Sequence, residues 1–333
     1  MGLEGLAGHG DYRRYPLLLR PIGREIYCRS SKIYMVEMKV IPGPASLELG
    51  VRIAERLGVA FYPAVHRLFP DGESYIRIKA PLRGEIATVV QTMFPNPDKS
   101  LLQLCLMADA ARDAGAKEVI CVVPYLAYAR QDKRFLDGEA LSLKTLSKLL
   151  GASGVDLLVV VDVHEEKALE GYCNEAGIQV KNLSAMPDLA EYLKQNGFEG
   201  AYSLSPDVGA VDLVRGAGTV LGGEVGFFTK ERDLHNGEIV MVMRDLDVQG
   251  RDVGVFDDIV SSGGTTAMAI RGLKKQGVGR VAAACTHGLF IGNAMEKIIE
   301  AGADIIVSTD TVGSPLSQVT VADLISSFLK GKY

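Results

Sequence analysis

The chain has 333 residues, a net charge of −5, 47% hydrophobic and 23% charged residues. These are values of a globular protein with a substantial core, and the length suits two domains. The acidic balance argues against a broad electrostatic footprint for nucleic acid, and no apolar run approaches the ~18 residues of a membrane span.

Residues 1–37 stand apart. They carry Arg13, Arg14, Arg20, Arg24 and Arg29 and little periodicity, and Leu17-Leu18-Leu19 is too short for a signal-peptide core. They read as an extension with no part in the chemistry. Cys28, Cys105, Cys121, Cys173 and Cys285 are odd in number and lack zinc-type spacing. They read as thiols of a reducing compartment, the cytoplasm, with Cys105, Cys121 and Cys285 in the core.

From Met38 the pattern is strand, helix, strand, repeated. Lys39 to Pro44 reads as a strand and turn, and Ala45 to Leu57 as an amphipathic helix. Phe69-Pro70-Asp71-Gly72-Glu73 reads as a turn before a strand, since Pro-Asp-Gly is a turn string. Phe69 also offers a flat surface to a base, and Asp71 and Glu73 offer acceptors for its amino group.

Glu85 to Thr92 reads as a strand, Leu101 to Ala114 as a helix and Glu118 to Val123 as a strand. Tyr125 to Arg134 follows that strand, and strand ends in open α/β sheets are where ligands bind. Arg130, Lys133 and Arg134 suit polyphosphate and Gln131 suits a base; a solvated basic turn is the alternative. Ala140 to Leu150 reads as a helix and Asp156 to Val161 as a strand, followed by Asp162-Val163-His164. In an extended segment Asp162 and His164 face the same way. A neutral His164 suits Mg²⁺ or a nucleotide phosphate, with a structural histidine as the alternative.

Asp207 follows the strand Leu204-Ser205 and is either an N-cap or a metal carboxylate. Phe227 to Gly237 reads as a charged loop in which Lys230 and Arg232 alternate. It is either solvated or a lid that closes over phosphoryl transfer and neutralises developing charge.

Residues 253–267, Val-Gly-Val-Phe-Asp-Asp-Ile-Val-Ser-Ser-Gly-Gly-Thr-Thr-Ala, are the most informative. They read as a buried strand, a loop, and a helix beginning at Ala267. Gly263 and Gly264 let successive N–H groups point at one spot, and the helix N-terminus adds partial positive charge. Ser261, Ser262, Thr265 and Thr266 add hydroxyls, so the loop reads as a phosphate cradle. Asp257 and Asp258 would repel a phosphate and suit ribose hydroxyls or Mg²⁺.

Residues 85–125 and 252–290 repeat the order strand, loop, helix, strand. The first copy has Met93-Phe94-Pro95-Asn96-Pro97-Asp98 for its loop, so it keeps the scaffold without the cradle. Apolar β-branched runs alternating with helices imply parallel sheets covered on both faces. The expectation is an α/β fold of two similar domains, 38–177 and 178–320, with residues 321–333 as a closing helix packed on the first.

These strings, in this order from about Met38 to the C-terminus, resemble the ribose-phosphate diphosphokinases, or phosphoribosyl-diphosphate (PRPP) synthases. The resemblance implies two phosphoribosyltransferase-like domains, each with a mostly parallel sheet flanked by helices. It implies a transferase of nucleotide biosynthesis that moves the diphosphoryl group of ATP to the C1 hydroxyl of ribose 5-phosphate with Mg²⁺, giving PRPP and AMP. Phe69, Asp71, Gly72 and Glu73 would form an ATP-contacting hairpin that reaches a neighbouring subunit, hence a homo-oligomer. Arg130 and Gln131 would bind ATP, and His164 and Asp207 would hold Mg²⁺. Lys230 and Arg232 would be catalytic, with Arg232 also on ribose 5-phosphate. Asp257, Asp258, Ser261, Ser262, Gly263, Gly264 and Thr265 would bind ribose 5-phosphate.

Two features depart from the commoner pattern. Ser261 stands where an Asp is commoner. Phe135-Leu136-Asp137-Gly138-Glu139 is acidic where many bacterial and animal members have a basic stretch serving phosphate and ADP regulation. Both departures look more like archaeal members. A type I phosphoribosyltransferase that consumes PRPP shares the 257–265 loop but leaves the hairpin, the first copy and Lys230/Arg232 unexplained. A non-catalytic regulatory subunit would have lost cations or metal ligands that are present here.

Overall fold

A computed structural model describes residues 36–206, 211–232, 239–242 and 247–333. Residues 1–35, nearly all of the expected extension, lie outside them. The first part runs β1 (Met38–Pro42), α1 (Leu47–Leu57), β2 (Val65–Leu68), β3 (Ser74–Arg77), β4 (Ile86–Val90), α2 (Pro97–Asp113), β5 (Glu118–Val123), α3 (Ser142–Ala152), β6 (Leu157–Val161), α4 (Glu166–Glu175) and β7 (Gln179–Leu183). Strands β1, β4, β5, β6 and β7 form a parallel sheet in that order.

The continuous apolar runs of its central strands are explained by burial on both faces. Val89, Cys121, Val123, Leu158 and Val160 pack with Leu104, Met107, Leu143, Leu146 and Leu169 of α2, α3 and α4. The alternate residues Val90, Ile120, Val122 and Val159 point to the other face, against Leu49 and Ile53 of α1. Helix α2 begins four residues before the expected Leu101. Pro97 sits in its first turn, where the missing N–H costs nothing.

The second part runs α5 (Met186–Leu193), β8 (Tyr202–Ser205), α6 (Val211–Leu221), β9 (Val225–Phe227), β10 (Thr229–Arg232), β11 (Ile239–Val242), β12 (Val253–Val260), α7 (Gly264–Lys275), β13 (Val281–Gly288), α8 (Ala294–Glu300), β14 (Ile305–Thr309), β15 (Ser317–Val319) and α9 (Ala322–Lys332). A second parallel sheet has the order β15-β14-β13-β12-β8-β9. Val253, Val255, Val281 and Ala283 pack on Ile270 and Leu273 of α7. Phe256, Ala282 and Ala284 pack on Leu189 and Leu193 of α5 and Val214 of α6. The fold is therefore α/β, with mostly parallel sheets flanked by helices. The antiparallel pairs among the described residues are two short ribbons, β2–β3 and β10–β11.

The chain passes from one sheet to the next after Leu183, later than the boundary expected near Gly177. Strand β7 pairs with β6 at the edge of the first sheet. Its Gln179, Lys181 and Asn182 leave no apolar run to mark it. Helix α9 returns to the first sheet, where Ile325 and Leu329 join Val40, Leu49 and Ile53. Asp323 there accepts a hydrogen bond from Arg56 Nε at 2.6 Å.

The C-terminal ends of the two sheets meet in a polar seam. Asp162 follows β6, is fully buried, and accepts from the Thr286 hydroxyl at 2.5 Å and the Ala185 N–H at 2.9 Å. Burial pushes its carboxyl up to about 6, against those two hydrogen bonds. His287 Nε2–H donates to the Val161 carbonyl at 3.0 Å, and burial pushes that imidazole down to about 4. The Thr92 hydroxyl donates to the Thr311 carbonyl at 2.7 Å. Thr286→Val removes one donor from a buried carboxylate. The expected loss is about 1–3 kcal/mol of stability, read from urea unfolding. An unchanged midpoint contradicts a structural role for the seam.

Candidate functional site

The site is built around the turn between β12 and α7. The acids Asp257 and Asp258 lie inside β12, not after it, because the equally long β13 pairs with this strand as far as Val260↔Gly288. The two side chains lie close enough to interact, and both border the same space. Gly263 then takes φ 72°, and a Cβ there would stand 2.8 Å from the Ala294 carbonyl oxygen, so the turn requires glycine. Helix α7 begins at Gly264, three residues before the expected Ala267, which places Thr265 and Thr266 in its first turn. The Ala267 N–H is the first to find an intrahelical acceptor, the Gly263 carbonyl at 2.9 Å. The preceding amides have none, and no side chain caps them. Free amides at the positive end of a helix dipole favour an anion.

A cavity of about 270 Å³ opens over this turn. Its walls join Asp257, Asp258 and the Ser261–Thr266 turn to Arg130, from the segment after β5, and His164, from the segment after β6. Residues of both sheets thus converge on one space. His164 Nδ1 lies 2.7 Å from Asp258 Oδ2. The side chain of Asp258 is only 9% exposed, so water and salt screen the pair weakly, whereas that of His164 is 41% exposed. The hydrogen bond to Asp258, helped by its charge, raises the His164 pKa against burial. Burial opposes charge on Asp258, but the hydrogen bond and charge of His164 bring its carboxyl below the usual range. The pairing commits Nδ1 to Asp258 and leaves Nε2 for a ligand.

Other residues singled out from sequence lie elsewhere. Asp162 does not face the same way as His164. It takes φ 38°, so the segment is not extended, and its carboxylate belongs to the buried seam. Gln131 follows Arg130 but accepts from the Ser142 hydroxyl at 3.2 Å, at the start of α3. Phe69, Asp71, Gly72 and Glu73 form the tip of the β2–β3 hairpin, exposed and outside the cavity lining. The Phe69 N–H donates to the Glu73 carbonyl at 2.8 Å, and the Glu73 N–H to Asp71 Oδ1 at 3.2 Å. The Phe69 ring stands edge-on to Tyr75, and the Arg67 guanidinium stacks over both rings.

Lys230 and Arg232 occupy alternate positions of β10, opposite Met241 and Ile239 of β11. The expected loop is a strand at this point. Asp207 lies outside the described residues. The acidic segment after Arg134 folds on itself: Glu139 accepts the N–H groups of Phe135 at 2.7 Å and Leu136 at 3.1 Å.

Sequence reasoning missed the partnership of His164 with Asp258 and the seam residues Thr286 and His287. The available signal was Thr286-His287-Gly288 at the end of a buried strand, the position where His164 was noticed. Among the described residues, no three His, Cys, Asp or Glu side chains are grouped to hold a metal. His164 Nε2 is a donor that suits a cation shared with phosphate oxygens, the manner in which Mg²⁺ binds. No described helix is long and apolar enough to cross a membrane.

Asp258→Asn removes a hydrogen-bonded negative charge from His164. The raised imidazole value stabilises the fold below it and is lost as pH rises through it. The depressed Asp258 value is lost as pH falls through it. In the variant, His164 therefore titrates at lower pH in a proton NMR titration. A titration that does not move contradicts the pairing.

Comparison with known proteins agrees with this geometry. Residues 38–154 match the family model of the N-terminal domain of ribose phosphate pyrophosphokinase. The chain is 36% identical over 288 residues to the ribose-phosphate pyrophosphokinase of Sulfurisphaera tokodaii, covering 86% of this chain and 97% of that relative. It is 38% identical over 287 residues to that of Methanopyrus kandleri, covering 86% and 96%. The crystal structure of phosphoribosylpyrophosphate synthetase from Mycobacterium smegmatis superposes with a TM-score of 0.78 at 28% identity, covering 90% of this chain and 99% of that one. With such identity along nearly the full length of these relatives, the chain belongs to the ribose-phosphate pyrophosphokinase family.

Proposed function

We propose that the protein transfers the diphosphoryl group of ATP to the C1 hydroxyl of ribose 5-phosphate, giving PRPP and AMP. The observation that carries this reading is the convergence of Arg130 and His164, from one sheet, with the Asp257–Thr266 strand end and turn of the other. The turn amides, with Ser261, Ser262, Gly263, Gly264 and Thr265, hold the 5-phosphate. Asp257 receives the ribose hydroxyls. Asp258 acts mainly through His164, whose imidazole it orients.

Arg130 faces the polyphosphate, and Gln131 contributes to the nucleotide. The hairpin tip Phe69, Asp71, Gly72 and Glu73 takes the adenine of a neighbouring copy, in keeping with its exposure and its absence from the cavity lining of its own chain. The active form is then a homo-oligomer. Mg²⁺, when bound, neutralises polyphosphate charge; His164 and Asp207 would hold it, together with phosphate oxygens.

The C1 oxygen attacks the β-phosphorus in line. A C1–O–P bond forms, the bond between the β-phosphorus and the α–β bridging oxygen breaks, and AMP leaves with that oxygen. Phosphoryl transfer of this kind asks little covalent chemistry of the protein, so positioning and charge dominate. Lys230 and Arg232 neutralise the charge that develops on the transferred group.

Phosphorus NMR of the protein with ATP, Mg²⁺ and ribose 5-phosphate tests the reading. AMP with a C1 diphosphate ester supports it; PRPP consumption with a base, without AMP, supports a phosphoribosyltransferase instead. Lys230→Ala is expected to lower kcat by about 10²–10³-fold, the effect of losing one preorganised electrostatic donor, with nucleotide binding little changed. Turnover near that of the parent would sink the role of Lys230.

A further inference from the structure

The turn between β4 and α2 occupies, in the first sheet, the place of the Gly263 turn in the second, and the proposed reaction gives it no task. It touches the neighbouring segment that carries Arg130. The Met93 N–H donates to the Tyr125 carbonyl at 3.1 Å. Further along, Asp98 accepts a hydrogen bond from the Tyr128 hydroxyl. Asp98 lies in the first turn of the 17-residue α2, where the helix dipole favours its negative charge. A charged acceptor makes this bond stronger than one between neutral groups.

Tyr128 takes φ 68°, a left-handed backbone that a tyrosine keeps only where its surroundings hold it. Residues of this kind gather at ligand clamps. The Tyr128 carbonyl accepts the Gln131 N–H at 3.2 Å, closing a turn over residues 128–131 in which Arg130 is third. Ala129 is buried, whereas Arg130 is exposed and lines the cavity beside His164. With its side chain exposed, Arg130 owes its aim to the backbone beneath it, and Tyr128 sets that backbone.

The two sides of Arg130 are held differently. Downstream, the Ser142 hydroxyl donates to Gln131 Oε1 at 3.2 Å, the Leu143 N–H to the Gln131 carbonyl at 3.4 Å, and the Tyr172 hydroxyl to the Asp132 carbonyl at 2.9 Å. Upstream, the strained residue itself is tied by its hydroxyl to Asp98. The cost of a left-handed tyrosine and the strength of one charge-assisted hydrogen bond are of the same order, so the bond can hold the strain. The bond to Asp98 also pushes the Tyr128 hydroxyl up to about 12, which keeps it a donor.

We infer that Tyr128 and Asp98 are a positioning pair for the transfer reaction, their hydroxyl–carboxylate bond holding the backbone turn that points Arg130 at the polyphosphate of ATP. Neither residue lines the cavity, so both act through Arg130. The β4–α2 turn thus braces the polyphosphate segment, where the β12–α7 turn meets a phosphate directly. The inference rests on the assignment of Arg130 made above.

Steady-state kinetics of AMP formation by the intact chain tests it, with Tyr128→Phe, Asp98→Ala and the two together. Tyr128→Phe keeps the ring and removes only the donor. Each single change is expected to raise the KM for ATP about tenfold, the equivalent of one charge-assisted hydrogen bond, with the KM for ribose 5-phosphate little changed. The double variant should be no worse than either single one, because the two residues act as one bond. Asp98→Asn, whose amide oxygen still accepts, should recover much of the loss. An unchanged KM for ATP in Tyr128→Phe, while Arg130→Ala raises it, overturns the inference and leaves the reaction standing. Equal rises in the KM of both substrates, or additive effects in the double variant, also overturn it, since they mark a general loosening of the fold. A parent that forms no AMP removes the reaction and the inference together.

Discussion

The hydrogen bond between His164 and Asp258 joins the chemistry of one sheet to that of the other, and the rest of the site depends on it. Each sheet alone presents half of a binding surface at its strand ends. Arg130 and His164 belong to one half, and the Asp257–Thr266 strand end and turn belong to the other. Because Asp258 is almost fully buried, its negative charge costs desolvation, which the hydrogen bond and charge of His164 offset together with the Ile259 N–H. The same pairing fixes which imidazole nitrogen is left for a ligand. A single interaction thus serves register between the sheets, protonation of His164 and orientation of the reactive face.

The buried seam beside it explains how that register is held. Asp162 with Thr286, and His287 with the Val161 carbonyl, bind across the sheet boundary out of reach of water, and Thr311 braces them by bonding His287 and the Thr286 carbonyl. Burial raises the carboxyl of Asp162 and depresses the imidazole of His287. These two groups resemble catalytic ones in composition and in their place at strand ends. Their burial assigns them to structure instead, while the partly exposed His164 keeps the open cavity.

Much of the architecture was legible in the chain. Central strands such as Ile86–Val90 and Leu157–Val161 are buried on both faces, so their apolar runs announced them. The edge strand Gln179–Leu183 was not legible, because an edge exposed on alternate residues carries no such run. The α7 start was read late because Gly264, Thr265 and Thr266 are poor helix formers, residues that suit anion binding better than helix propensity. Asp162 was misread because nothing local marks an aspartate for φ 38°. The cradle at Gly263 was readable because it is contiguous; the His164–Asp258 pair was not, since 94 residues separate its members. Family resemblance supplied roles that spacing alone left open, notably for Phe69, Lys230 and Arg232.

A crystal structure of the protein with ribose 5-phosphate and a non-hydrolysable ATP analogue tests the central claim most directly, that the two sheets each bring one substrate to a shared cavity. The sugar phosphate is expected on the amides of Gly264 and Thr265, with the polyphosphate beside Arg130 and His164. Sugar phosphate bound elsewhere, with the Ser261–Thr265 turn left empty, would contradict it.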